Sequence, residues 1–362
     1  MNPLLDLYTD YLLSSFDKTT ATGMSKLTDG SVSHDKITRL LSRNDFNSKS
    51  LWLSVKPLVR KHESVDACLI FDDSIIEKPF TDENAIICWH WDHSKGRSIK
   101  GINLLSAFYH TQGLDQTQPL RIPIGFEMVK KNVLFCDLKT RKEKRKSELT
   151  KNEMMRNMIS QCIHNQLKFK YILADSWFAS AENMLFIHGK KKFFIFDLKS
   201  NRQCALSEQD RNKGHWTRID KLDIPDNTPV KVWLKDLKIP LLLTKQVFTN
   251  KDDSTGVRFL VSNDFSLTDD DFTTLYKKRW SVEEYHKSLK QNASAAKSPT
   301  RTVKTQSNHL FASIMAYIKL EKLKFANDLN HFAMKSKLYI AAVKAAFKEL
   351  ELLKSTQAGC VT

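Results

Sequence analysis

No apolar stretch in this 362-residue chain reaches the roughly 18 to 20 residues that a membrane span needs. The opening MNPLLDLYTDYLLSSF carries Asp6 and Asp10 where a secretory leader would carry lysines. The six cysteines, Cys68, Cys88, Cys136, Cys162, Cys204 and Cys360, form no CxxC pair and no short-loop framework. That pattern excludes a zinc ribbon and a disulfide scaffold, and buried free thiols are expected. No internal repeat is present either. What the chain does have is an ordinary globular composition, 41% hydrophobic and 10% aromatic, with a large excess of positive charge. Its 57 Lys and Arg against 41 Asp and Glu give +16, well past the roughly +2 to +8 that solubility asks for. A polyanionic partner is implied, with nucleic acid the leading candidate.

Residues 1–62 read as short helices, since Leu4, Leu5, Tyr8, Tyr11 and Leu12 fall at helical spacing and Ser33-His34-Asp35 precedes an amphipathic run from Lys36 to Ser42. This segment is a candidate DNA-binding module, although pattern alone does not separate a helix-turn-helix from another small bundle. From residue 63 the periodicity turns to strands: ACLIFD (67–72), GINLLSAFYH (101–110) and LRIPIGFEMVK (120–130), read as an antiparallel meander. A helix over 150–167, the strand YILAD (171–175), a helix over 181–188 and the strand KFFIFDL (192–198) follow. That order predicts an α/β fold with an RNase H-like mixed sheet core, its first part spanning 63–198. Residues 199–268 read as a β-rich insertion. The segment 269–292 reads as a helix completing the core, and 293–362 as a helical C-terminal region. The helical stretches are expected at 268–291, 308–328 and 334–354.

Cutting a phosphodiester with two divalent ions needs carboxylates that converge from different elements. Asp72 and Asp73 end the apolar strand ACLIF, and Asp175 ends YILA. An Asp in such a place often caps the following turn, but two such strand ends in one basic chain weigh against capping as the whole account. Neighbouring strand residues point to opposite faces, so only one of Asp72 and Asp73 can join such a site, and Asp72 is favoured.

A third carboxylate is sought on a helix, and LYKKRWSVEEYHKSLK (275–290) supplies it. At about 100° per residue Tyr276, Arg279, Glu283 and Lys290 fall at about 0°, 300°, 340° and 320°, one polar face within about 60°. Leu275, Val282 and Leu289 recur every seven residues on the adjacent stripe and would anchor the helix. Over about 20 Å of helix, Glu283 could ligate a metal while Arg279 and Lys290 hold phosphates on either side. The plain alternative is a solvated charged face with an Arg279–Glu283 pair four residues apart.

The spacing Tyr-x2-Arg-x3-Glu-x6-Lys resembles the YREK signature of the insertion-sequence-four family of DDE transposases, and Tyr276, Arg279, Glu283 and Lys290 occupy its four positions. FDDS (71–74) is similar to the family's first acidic motif, which supports Asp72 over Asp73, and ILADSWFAS (172–180) to the second. The stretches 93–102 and 305–318 also resemble family segments, so the likeness runs over roughly 66–320. The resemblance implies an RNase H-like catalytic core with the triad Asp72, Asp175 and Glu283, two Mg²⁺ ions (Mn²⁺ as substitute), and cut-and-paste transposition. It implies that Tyr276, Arg279 and Lys290 contact phosphates of double-stranded DNA, both transposon ends and target, and that the chain is a homodimer on DNA. It also implies a Trp of the insertion stacking on a flipped base, for which Trp216 and Trp233 are equal candidates beside a plain core role. A cytoplasmic, nucleoid-associated prokaryotic protein follows.

Lys297, Arg301 and Lys304 come directly after the catalytic helix and are further DNA-binding candidates. The run Lys139 to Lys151 concentrates seven Lys and Arg, read as a solvated helix start or connector or else as a phosphate contact. Trp89-His-Trp-Asp-His93 contains ligand types, but without further ligands at metal spacing a loop bordering the DNA cleft is expected. Two alternatives to a transposase stand: a nuclease or resolvase of the same fold, and a catalytically decayed DNA-binding regulator.

Overall fold

The computed structural model describes residues 2–92, 95–112, 118–250 and 252–358. They divide into two compact units, one of residues 1–54, 76–102 and 285–362, the other of residues 55–75 and 103–284.

The first unit opens with α1 (Pro3–Ser14), α2 (Ala21–Leu27), α3 (His34–Arg43) and the start of α4 (Ser48–His62). Side chains mark the helix starts: Asn2, Thr20 and Ser33 accept backbone N–H groups of Leu4, Gly23 and Lys36. The division falls within the strand β1 (Cys68–Glu77), and β2 (Ile87–Asp92) pairs antiparallel with the first half of β3 (Arg97–Thr111), from Ile87↔Ile102 to Asp92↔Arg97. Trp89 and Asp92 therefore lie on a strand and not on the expected loop. His90 is buried and Trp89 and Trp91 exposed. An aromatic outer face blurs the usual alternation, which is why the strand escapes a hydropathy reading. His93 lies outside the described residues.

In the second unit the strands are β4 (Leu120–Met128), β5 (Val133–Asp137), β6 (Lys142–Lys146), β7 (Tyr171–Ala174), β8 (Phe193–Leu198), β9 (Gln203–Ala205), β10 (Thr217–Arg218), β11 (Val230–Leu234), β12 (Leu241–Thr249) and β13 (Thr255–Ser262). They are interleaved with α5 (Lys151–His164), α6 (Ala181–Gly189) and α7 (Glu208–Lys213). A large mixed sheet runs β10-β9-β11-β12-β13-β8-β7-β1-β3, with β4 paired to β3. β1, β7 and β8 are parallel to one another, β13 runs antiparallel to β8, and β4 runs antiparallel to β3. The three parallel strands read CLIF, YILA and FFIF because both their faces are covered. Burying one such Phe contributes about 2–3 kcal/mol. β4 pairs with β3 alone, so β1, β3 and β4 lie side by side in the order read from the sequence, with β2 added on the first half of β3.

Two sequence expectations change. The basic run before α5 is a β-hairpin, β5 paired with β6, rather than a helix start or connector. KEKRK has no apolar residue to show a two-residue period, and the pairing partner VLFCD makes the strand. The expected single helix over 268–291 is two, α8 (Asp269–Lys277) and α9 (Trp280–Gln291). Between them the N–H groups of Lys278, Arg279, Ser281 and Val282 each bond to the carbonyl three residues back, a tight turn in place of the α ladder. Ser281 Oγ also donates to the Lys278 carbonyl at 2.6 Å, a side-chain bond that competes with regular helix.

The first unit closes with α10 (Val303–Asn327) and α11 (His331–Ala358). α10 starts five residues earlier than expected because Thr302 caps it by accepting the Thr305 N–H. Among the described residues no helix is long and apolar enough to cross a membrane.

Candidate active site

The parallel register sets the acids. Phe71 pairs with Ala174, and Ala174 with Phe196. The next residues are Asp72 on β1, Asp175 directly after the end of β7, and Asp197 on β8; neighbouring strands lie about 4.8 Å apart. Sharing the register, the three point to one face.

Their electrostatics show the crowding. The Asp72 carboxyl is pushed up to about 8, first by burial and then by the charges of Asp175 and Asp73. Burial likewise raises Asp175, against the pull of Arg279. Asp197 rises to about 6 by burial, opposed by Arg258 and Arg279. Turn-capping is present as well, since Asp175 Oδ1 accepts the Trp177 N–H at 3.0 Å and Asp72 Oδ1 accepts the Asp73 N–H at 2.9 Å. Asp73 is spent otherwise: Lys151 Nζ lies 2.6 Å from its Oδ1, and Asn103 Nδ2 donates to its Oδ2 at 2.8 Å.

Tyr276, near the end of α8, is buried, and its hydroxyl reaches the Ala174 carbonyl at 3.4 Å, beside Asp175. The guanidinium groups of Arg258 and Arg279 stand 5.4 and 5.5 Å from its ring centroid. Arg279, in the turn before α9, donates through Nη2 to Glu283 Oε1 at 2.6 Å, while its buried Nε has no hydrogen-bond partner. Burial alone would lower the Arg279 pKa, but Tyr276, Glu283 and Asp72 hold it up, so the group is a fixed cation. The pair four residues apart that the sequence allowed is therefore formed. Val282 and Leu289 of the anchoring stripe are buried and Leu275 half-buried.

Of the other expected residues, Lys290, Lys297, Arg301 and Lys304 belong to the first unit, and Trp216 and Trp233 to the second. Lys290 is half-buried on the last turn of α9. In the following loop the Lys297 carbonyl accepts the Thr19 N–H and the Arg301 carbonyl accepts Asn84 Nδ2. Lys304 is ion-paired with Asp45 at 3.0 Å. Trp233 is buried, as a core tryptophan would be, and Trp216 half-buried. Sequence reasoning passed over Asp197, although FIFD repeats the signature of CLIFD and YILAD. It also passed over Trp177, 47% exposed, with Lys151 and Lys199 at 4.7 and 5.5 Å from its ring. A cavity of about 780 Å³ lined by Ser176, Asp197, Lys199, Lys245, Phe248 and Arg258 adjoins the acids.

Among the described residues no three carboxylate, His or Cys groups are placed to hold a metal ion as they stand. The donor chemistry nonetheless suits a hard divalent cation: two half-buried carboxylates close enough to repel, with a third held four residues from its arginine.

A mixed sheet with three aspartates in register along adjacent parallel strands defines an α/β protein with a cluster of carboxylates. The transposase DDE domain matches residues 63–319, more than half of the chain, and the chain belongs to that family. Its members act on DNA and generally use divalent metal ions. Comparison with curated proteins returned no match.

Proposed function

We propose that this chain is an insertion-sequence-four transposase that binds transposon ends, cuts them and joins the freed 3′-hydroxyls to target DNA. The observation that carries the reading is the register that makes Asp72 and Asp175 neighbours, with Glu283 one ion pair away from release. Asp72, Asp175 and Glu283 would hold Mg²⁺, or Mn²⁺ in its place, which when bound supplies activation of the attacking oxygen and stabilisation of the leaving one.

Water attacks the phosphorus at the transposon end, a P–O bond breaks, and the 3′-oxygen leaves as a hydroxyl. That hydroxyl then attacks a target phosphodiester and displaces its 3′-oxygen, so each bond formed replaces one broken. Arg279 turns its guanidinium from Glu283 to a phosphate, for which its unpartnered Nε is a ready donor. Tyr276 and Lys290 hold the strand with it, and Lys297, Arg301 and Lys304 extend the track. The helical residues 1–62 serve as DNA-binding module, 63–198 and 269–292 as the RNase H-like core, 199–268 as the insertion, and 293–362 as a helical region.

A homodimer on DNA is supported by α11, where Ile340, Val343, Phe347 and Leu350 are exposed at alternating spacings of three and four. Incubation with a duplex transposon end, target DNA and Mg²⁺ tests the whole reading. Nicked and joined products are expected; nicks without joints would make the chain a nuclease.

A further inference from the structure

The basic run that the carboxylate site leaves unused forms a ribbon of its own. β5 and β6 pair from Val133↔Lys146 to Asp137↔Lys142, and among the described residues neither joins another strand. All five residues of β6 are exposed. The register sorts their side chains: Lys142, Lys144 and Lys146 share one face with Asp137, Phe135 and Val133, while Glu143 and Arg145 take the other. Two residues of strand advance about 6.8 Å, so the three lysines start from backbone positions in a line about 14 Å long. Lys146 Nζ lies 5.6 Å from the centroid of the Phe135 ring, which backs one end of that line.

The tip is organised in advance. Asp137 Oδ1 accepts the N–H groups of Lys139 and Thr140, each at 3.0 Å, and its Oδ2 takes Lys144 Nζ. The Arg141 N–H, from a residue at φ 53°, closes the turn on the Asp137 carbonyl at 2.7 Å. The Lys144 bond first, and then the Thr140 N–H, hold the Asp137 carboxyl down at about 2. It stays an anion at any working pH and keeps the turn fixed.

A two-stranded ribbon is marginal by itself in water, and this one carries Lys139, Arg141, Lys142, Lys144, Arg145 and Lys146 against Asp137 and Glu143, a net +4. Leu138 at its tip is 91% exposed. Such a surface gains from a partner of opposite charge. A second copy of a +16 chain would repel it, whereas duplex DNA offers both the charge and a major groove, about 12 Å wide, that admits a two-stranded β-ribbon. We propose that the β5–β6 ribbon is a DNA-docking arm, which lays Lys142, Lys144 and Lys146 along the phosphates of duplex DNA. The proposal rests on the transposase reading only in taking DNA as the partner.

The test is the salt dependence of duplex binding by the full chain, read by fluorescence anisotropy with an oligonucleotide of arbitrary sequence. The variant K142Q/K144Q/K146Q is compared with K337Q/K344Q/K348Q, which removes the same charge from exposed positions on α11. Each phosphate contact contributes about 0.9 to the slope of log K against log salt, so the ribbon variant should lose about 2–3 from that slope and bind about ten- to a hundredfold more weakly. The α11 variant should keep the wild-type slope to within about 1. The all-arginine ribbon should restore binding, and thermal melting should stay unchanged. A ribbon variant with the wild-type slope, or two variants weakened equally, overturns the arm. A wild type that binds duplex steeply but yields no cut ends sinks the transposase reading and leaves the arm standing on its slope; one that binds no duplex sinks both.

Discussion

The row of Asp72, Asp175 and Asp197 and the β5–β6 ribbon both crowd like charges, and they do so under opposite conditions. The acids sit where water is scarce, and burial together with mutual repulsion drives Asp72 up to about 8 and Asp197 to about 6. The lysines of β6 stand in water, where like charges a few ångströms apart repel by only about 1 kcal/mol or less, and the one anion on their face, Asp137, pairs with Lys144. Crowding in a dry place stores demand for a cation at one point. Crowding in a wet place makes a broad footprint whose strength depends on salt. One arrangement suits chemistry on a single phosphate and the other suits holding many.

The sharpest way to break the comparison is to remove acids one at a time. Asp72→Asn, Asp175→Asn and Glu283→Gln should each lower strand cleavage by at least about 10³-fold, measured in single turnovers on a duplex end. Asp73→Asn should behave differently. It keeps cleavage to within about tenfold but loses the Lys151 ion pair, and should cost about 1–3 kcal/mol of stability by denaturant melting. Cleavage lost in Asp73→Asn and kept in Asp72→Asn would reverse the assignment.

Asp197 sharpens the comparison at the next level. It stands in the same row, but Arg258 and Arg279 pull on it more than Asp175 pushes. We expect it to position those guanidinium groups. Asp197→Asn should slow cleavage about tenfold, close to 1.4 kcal/mol in the barrier, with duplex affinity within about twofold. Asp197→Glu should recover most of the rate. Equal loss in both variants would mean a packing role instead.

These contrasts were legible in the sequence to different depths. Buried parallel strands write themselves as apolar runs ending in Asp, so the strands bearing Asp72 and Asp175 could be read directly, and FIFD of β8 carried the same signal without being used. The ribbon could not be read that way, because KEKRK has no apolar residue and exists as a strand only through its pairing with VLFCD. The break between α8 and α9 hides among good helix formers; it is a tight turn accompanied by the Ser281 hydroxyl bond to the Lys278 carbonyl, and an angular count over a continuous helix cannot foresee it. The division into units, which cuts β1, β3, α4 and α9, depends on contacts between residues far apart in the chain. Local pattern does not encode those.

The smallest effect is thermal, and it isolates the dry acids. Above the usual carboxylate range an unfolded chain has released the Asp72 proton, whereas the folded, metal-free protein keeps it until pH about 8. The folded state then binds more protons, so this group's contribution to stability is fully present at low pH and is lost as pH rises through about 8. Other buried groups act elsewhere: His309, lowered by burial to about 3, costs stability as pH falls below its usual range, and Lys78 and Lys335, lowered by burial to about 8, add stability above that pH. Subtracting the melting curve of Asp72→Asn from that of the wild type cancels them. In EDTA the wild type should fall below Asp72→Asn by about 2–4 °C between pH 6 and 8, the shift expected for about 1 kcal/mol in a unit of this size. Mg²⁺ should erase the gap at pH 8, because binding to the folded state alone stabilises it, and should do little at pH 5, where the carboxyl is protonated. Parallel curves from pH 6 to 8, with or without Mg²⁺, would show that Asp72 is not held in a dry, crowded site, and the contrast with the ribbon would go with it.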